Sequence, residues 1–232
     1  MRGFFRLFVA VVLALGLLGL AAHWRAQAAS GLAVPAPAYN PPDAAASETA
    51  VLSGGCFWGM QGVFEHVRGV THVYAGYTGG AADTAFYPLV STGTTGHAES
   101  VRISFDPKII SYGKILQIYF SVATDPTELD YQGPDSGTQY RSEIWVAGPV
   151  QAKIATDYIA QLTQARVFGA PIVVQVAPRM AFYHAEDYHQ DFLVRHPDYP
   201  YIVINDIPKV ENLAREFPKY YRATPVLVFP ED

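Results

Sequence analysis

Apolar and polar positions alternate in two distinct rhythms along the chain, and the switches between them predict its elements. "ETAVLS" from residue 48, "GVTHVYAGYT" from residue 69 and "AESVRISF" from residue 98 follow the two-residue period of strands. "FWGMQGVFEHV" places Phe57, Met60, Phe64 and Val67 at helical spacing. "SYGKILQIYFSVA" predicts an amphipathic helix with Ser111 as its cap. "SEIWVAG" and "PIVVQVAP" read as strands flanking the long helix "PVQAKIATDYIAQLTQARVF", where Pro149 suits a first turn. "HAEDYHQDFLVRH" and "DIPKVENLAREF" predict two further helices. The polar stretch 124–142 lacks any period, and so long a loop in a compact domain usually carries function. Strands and helices alternate without barrel-like regularity. The expected fold is α+β, a two-layer α/β sandwich around a mixed sheet with a ferredoxin-like core and extensions.

The first thirty residues break both rhythms. Arg2 and Arg6 precede an unbroken apolar run from Leu7 to Ala22, and Ala26-Gln27-Ala28 offers a small-x-small cleavage site, so residues 1–28 read as an export signal. The run is shorter than the roughly 20 residues that usually span a membrane, which favours cleavage over an uncleaved anchor. Export, to the periplasm in the first instance, is the expected destination, with membrane anchoring by this segment as the alternative. Residues 29–47, rich in Ala and Pro, are expected to be an extended linker, and 48–232 the folded domain. Without Arg2, Arg6 and Arg25 the 16 basic residues become 13 against 21 acidic ones, a formal charge of −8. Such a balance argues against nucleic acid as a partner.

Cys56 is the one cysteine in 232 residues. An exported protein that relied on disulfides would carry cysteines in pairs, so a lone thiol is either a buried structural residue or a reactive one. Gly54 and Gly55 before it allow a sharp turn, and the helix predicted after it offers unpaired N–H groups that lower a thiol's pKa. The loop lacks the Lys-Ser/Thr pair of a nucleotide-binding turn. Phe57 and Trp58 are either core or the walls of a small apolar pocket. Among the histidines, His184 and His189 are five apart, on different sides of a helix, which disfavours a shared metal. His97 or His189 could pair with Cys56 as a hydrolase dyad, but the cluster 184–189 reads more simply as helix-surface groups bonded to the long loop, and Trp145 as core.

"GCFWG" at 55–59 resembles the active-site signature of the peptide methionine sulfoxide reductases of the A type, which act on the S epimer. The resemblance continues through "GYTGG" at 76–80, "TGHAE" at 95–99, "GTQYRS" at 137–142 and "FYHAEDYHQDF" at 182–192, and so spans the domain. It implies Cys56 as nucleophile, Phe57 and Trp58 as the pocket for the substrate methyl group, and Glu99 as the acid that protonates the sulfoxide oxygen. It implies Tyr87 and Tyr140 as the phenols that hold that oxygen, with Asp135 as a supporting carboxylate. Thiolate attack on a sulfoxide leaves growing charge on oxygen, which an acid and phenols stabilise. Taken alone, Glu99 would read as a solvated strand-end charge. Many relatives resolve the resulting sulfenic acid with further cysteines near the C-terminus; "YYRATPVLVFPED" has none. The resemblance therefore implies an external thiol reductant, such as thioredoxin, glutaredoxin with glutathione or a periplasmic thiol donor, and no bound cofactor or metal. Expected partners are oxidised proteins or peptides, and the expected state is a monomer. A non-catalytic module binding Met-containing peptides would not need the acid at Glu99.

Overall fold

The computed structural model describes residue 31 and residues 33–229; the segment read as an export signal lies outside the described residues. Six strands form one mixed sheet: β1 (Glu48–Ser53), β2 (Val70–Thr78), β3 (Ala98–Phe105), β6 (Glu143–Val146), β7 (Gln175–Pro178) and β8 (Phe182–His184). Their order is β7-β6-β1-β3-β2-β8, antiparallel except for the β6–β7 pair. A separate two-residue hairpin pairs β4 (Tyr131–Gln132) with β5 (Asp135–Ser136). The inner run β6-β1-β3-β2 joins a β-α-β-β-α-β sequence in the strand order of a ferredoxin-like unit, and β7 and β8 extend it on either side.

The period-two pattern fixes which side of the sheet is covered. Ala50 and Leu52, Val73, Ala75 and Tyr77, and Val101, Ile103 and Phe105 are all buried in one cluster with the helices. The helices are α1 (Phe57–Glu65), α2 (Tyr87–Val90), α3 (Tyr112–Ile118), α4 (Pro149–Gln164), α5 (Phe192–Arg195) and α6 (Ile207–Glu216). Ser111 Oγ accepts from the Lys114 amide and caps α3 as expected. A smaller cluster of Val51, Ala98 and Trp145 forms on the opposite face, where Trp145 Nε1 donates to Ser53 Oγ at 2.8 Å.

Two sequence expectations change. Residues 184–196 are not one helix: His184 closes a strand (Phe182–His184) paired with β2, Asp187–His189 is a 3₁₀ turn, and only Phe192–Arg195 is α-helical. The break has a side-chain cause. Gln190 bonds the edge of β2, receiving Ala75 N and donating to Ala75 O, and Asp191 adopts a positive φ of 56° while accepting the Val228 and Phe229 amides. Residues 33–43, expected as linker, have no regular secondary structure yet lie on the domain. Val34 is buried, its amide donates to Ser121 Oγ, and its carbonyl accepts from Gln117. Further along, Tyr158 OH donates to Pro35 O, and Asn40 bonds Ser111 and Gly113.

Candidate active site

The site forms where α1 starts. β1 runs into Gly54-Gly55, and the chain turns through Gly55 at φ 90°, where a Cβ would come within 2.6 Å of Gln132. Cys56 is the N-cap of α1 and is 8% exposed. One residue on, the Phe57 amide donates to Glu99 Oε2 at 3.0 Å. Glu99 reaches it from β3, on the covered face and opposite Tyr77 in the strand register. The thiol and the acid therefore meet because a helix N-terminus lies beside the amino end of the antiparallel strand β3.

Burial sets the acidity of both groups. Glu99 is 2% exposed, and desolvation pushes its carboxyl up to about 8; the Phe57 amide pulls it down, and the charges of Asp135 and Asp206 push it further up. At neutral pH it holds a proton, as its proposed chemistry requires. The thiol differs from the sequence expectation. Helix-start placement suggested a lowered pKa, but burial, followed by the charges of Glu99 and Asp206, holds Cys56 well above the usual thiol range. The Trp58 amide and Lys209 act the other way and are outweighed. Without substrate, the site holds both protons.

Aromatic rings wall this pair. Phe57 is buried between Tyr77 and His189, at ring centroid distances of 5.7 and 5.0 Å. Trp58 stacks on Phe192 at 3.8 Å and meets Tyr199 and Tyr201 edge-on. Its Nε1–H donates to His189 Nδ1 at 3.1 Å, which places the imidazole proton on Nε2. Burial lowers the His189 pKa to about 4, so the ring is neutral. Tyr87 begins α2, and Glu186 secures it by accepting the Tyr87 amide at 2.9 Å and the Tyr77 hydroxyl at 2.8 Å. Desolvation, then the charge of Glu99, raises both Tyr87 and Tyr140, so each phenol keeps its proton for donation.

The long loop 124–142 is held in place by its own side chains. Gln132 closes it by receiving Asp125 N and donating to Asp125 O, and Thr138 and Arg141 bond the carbonyls of Gly93 and Gly96. Those bonds bring Tyr140 and Asp135 to the site. Asp135 Oδ2 accepts from the Tyr201 hydroxyl. All seven sequence-predicted residues thus gather around the start of α1.

The alternative readings lose their geometry. His97 bonds Gly80 N and Ala81 O, and His189, whose Nδ1 accepts from Trp58, has only an N–H at its unpartnered Nε2, so neither offers a lone pair to a hydrolase dyad. His184 lies apart against Arg102 and Tyr74, and His189 is buried instead of lying on a helix surface.

Residues 48–221 match the family model "Peptide methionine sulfoxide reductase". The peptide methionine sulfoxide reductase MsrA 2 of Mesorhizobium japonicum is 58% identical over 182 residues, covering 78% of this chain and 93% of the relative. That of Synechocystis sp. is 48% identical over 171 residues, 74% of this chain and 80% of the relative. The chain belongs to the peptide methionine sulfoxide reductase family, A type. Solved structures agree with the fold of a reductase of this family. Reduced Mxr1 from Saccharomyces cerevisiae matches with a TM-score of 0.60 at 28% identity, over 70% of this chain and 92% of that one. The methionine sulfoxide reductase A of Corynebacterium diphtheriae gives 0.54 at 31%, over 72% and 87%.

Sequence reasoning missed four contributors to this reductase site. Tyr201 bonds Asp135, and Phe192 is the ring on which Trp58 stacks. Asp206 has a fully buried side chain paired with Lys209 at 3.2 Å, and a Cβ on Gly59 would land on its Oδ1. Gly59 of "GCFWG" carried the signal: a glycine inside a helix marks a close neighbour.

Proposed function

We propose that this reductase converts the S epimer of protein-bound methionine sulfoxide to methionine through a sulfenic acid on Cys56, which an external thiol then reduces. The observation that carries the reading is the Phe57 amide to Glu99 bond, which places a protonated, buried acid one residue from the thiol.

In the proposed step Cys56 Sγ bonds to the sulfoxide sulfur while Glu99 gives its proton to the sulfoxide oxygen, and the freed carboxylate takes the thiol proton. The hydroxyl then passes to Sγ as the sulfur–sulfur bond breaks, leaving Cys–SOH and methionine. Tyr87 and Tyr140, both protonated, are the donors for charge building on oxygen, and Asp135 orients Tyr201 beside them. Phe57 and Trp58 receive the methyl group. Two equivalents of thiol return Cys56 to the thiol with release of water and a disulfide. No second cysteine exists in the chain to do this internally. The basic, apolar and small-residue order of residues 1–28 supports export as the setting.

A single turnover without reductant, followed by mass spectrometry, tests the scheme. Cys56 should gain one oxygen and no intramolecular disulfide; product formed over an unchanged thiol sinks it.

A further inference from the structure

Three Asp-Tyr pairs, from three separate segments, stand around the mouth of the site. Tyr131 follows Asp130 in the hairpin whose Gln132 packs against Gly55. Tyr188 follows Asp187, and its ring lies 4.2 Å from that of His189. Tyr199 follows Asp198 and meets both Trp58 and Phe192 edge-on. These tyrosines are 41%, 59% and 48% exposed, far more than a reaction confined to the buried thiol and acid needs.

The charges beside them are unbalanced. Asp187 and Asp198 are exposed and Asp130 is half-buried, and none takes part in an ion pair or side-chain hydrogen bond among the described residues. The two arginines in these segments are engaged elsewhere. Arg141 pairs with Glu143 at 2.7 Å, and Arg195 with Asp191 and Phe229 O. Residues 79–96, which supply Tyr87, contain Asp83 and no lysine or arginine.

A carboxylate next to an exposed phenol ring suits one kind of neighbour. The ring face attracts a cation and covers the apolar stem of Lys or Arg, and the carboxylate takes the charged head. An acidic flank would instead meet like charge at three points. We propose that the occupant of this rim is an extended polypeptide carrying Lys or Arg within a few residues of the methionine sulfoxide. The proposal rests on the reductase reading and adds to it a selection of substrate by charge.

Two synthetic peptides test it, identical except that the residues flanking one methionine S-sulfoxide are Lys in one and Glu in the other. The Lys peptide should show kcat/KM about 10-fold higher at low ionic strength, shrinking towards about 2-fold at 0.5 M salt, as expected for several exposed contacts. In a combined Asp130→Asn, Asp187→Asn, Asp198→Asn variant the ratio should fall towards one, a readout independent of how much variant is folded. Equal kcat/KM for both peptides in the parent protein overturns the proposal while leaving the reductase intact. A ratio that persists in the triple variant also overturns it, by assigning the preference to overall charge. Turnover of neither peptide sinks the reductase reading and this one with it.

Discussion

The Phe57 amide and the Glu99 carboxylate are joined at 3.0 Å across 42 residues of sequence, tying the helix that carries the thiol to the strand that carries the acid. Because burial pushes Glu99 up to about 8, its proton is available at neutral pH and lost above that. kcat/KM should therefore fall as pH rises through about 8. Glu99→Gln should lower it by about 100- to 10,000-fold, as expected for a lost general acid, and remove that limb. The sign for stability is the same. A carboxyl raised in the folded state contributes fully below its ordinary range near 4.5, and that contribution is lost as pH climbs through about 8. Glu99→Gln should thus have the higher Tm at pH 9 and the lower activity everywhere; a variant less stable than the parent at pH 9 contradicts this account of burial.

Trp58 and Phe192 stack at 3.8 Å with planes 9° apart. Such pairs contribute about 0.5–1.5 kcal/mol beyond area burial. Phe192→Ala should free the indole proposed to wall the methyl pocket, raising KM by roughly 3- to 10-fold while kcat changes less, since neither ring holds a transferred proton. Steady-state kinetics on a sulfoxide peptide reads the split, and an equal loss in kcat alone would place Trp58 outside the pocket.

Local signals made the thiol turn legible. Glycines before Cys56, the helical spacing after it and the strand period that starts at Ala98 and carries Glu99 all survive in the fold. What the sequence did not reveal came from distant segments. Burial of Cys56 and the charges of Glu99 and Asp206, the latter 150 residues away in sequence, raise the thiol, so the helix start alone suggested the wrong direction for its pKa. The 184–196 segment misled for a related reason: Gln190 and Asp191 spend their side chains on backbone groups of β2 and of residues 228–229, and no periodicity records such bonds.

Residues 33–43 behave as part of the domain. Val34 is 1% exposed and adds two hydrogen bonds, and Tyr158 and Gln161 bind the carbonyls of Pro35 and Ala36. A chain starting at residue 44 should be less stable than one starting at residue 31 by about 3–5 kcal/mol, from one buried valine and several hydrogen bonds. Urea unfolding compares the two; coincident midpoints would show the segment to be a passive tether.

Asp206 and Lys209 form a charged pair against the first turn of α1, and their charges act on Cys56 in opposite directions. Asp206→Asn removes a negative charge that raises the thiol, so the midpoint of Cys56 alkylation by iodoacetamide should move to lower pH. Lys209→Met leaves that charge unopposed and should move it higher. The opposition separates electrostatics from damage, because loosened packing would hydrate the thiol and lower the midpoint in both variants. Gly59→Ala is the steric counterpart. Its new methyl would land on Asp206 Oδ1, and the overpacking should cost about 1–3 kcal/mol. Combining it with Asp206→Gly should recover most of that loss in urea unfolding, and failure to recover would mean that another neighbour, not Asp206, requires a glycine there.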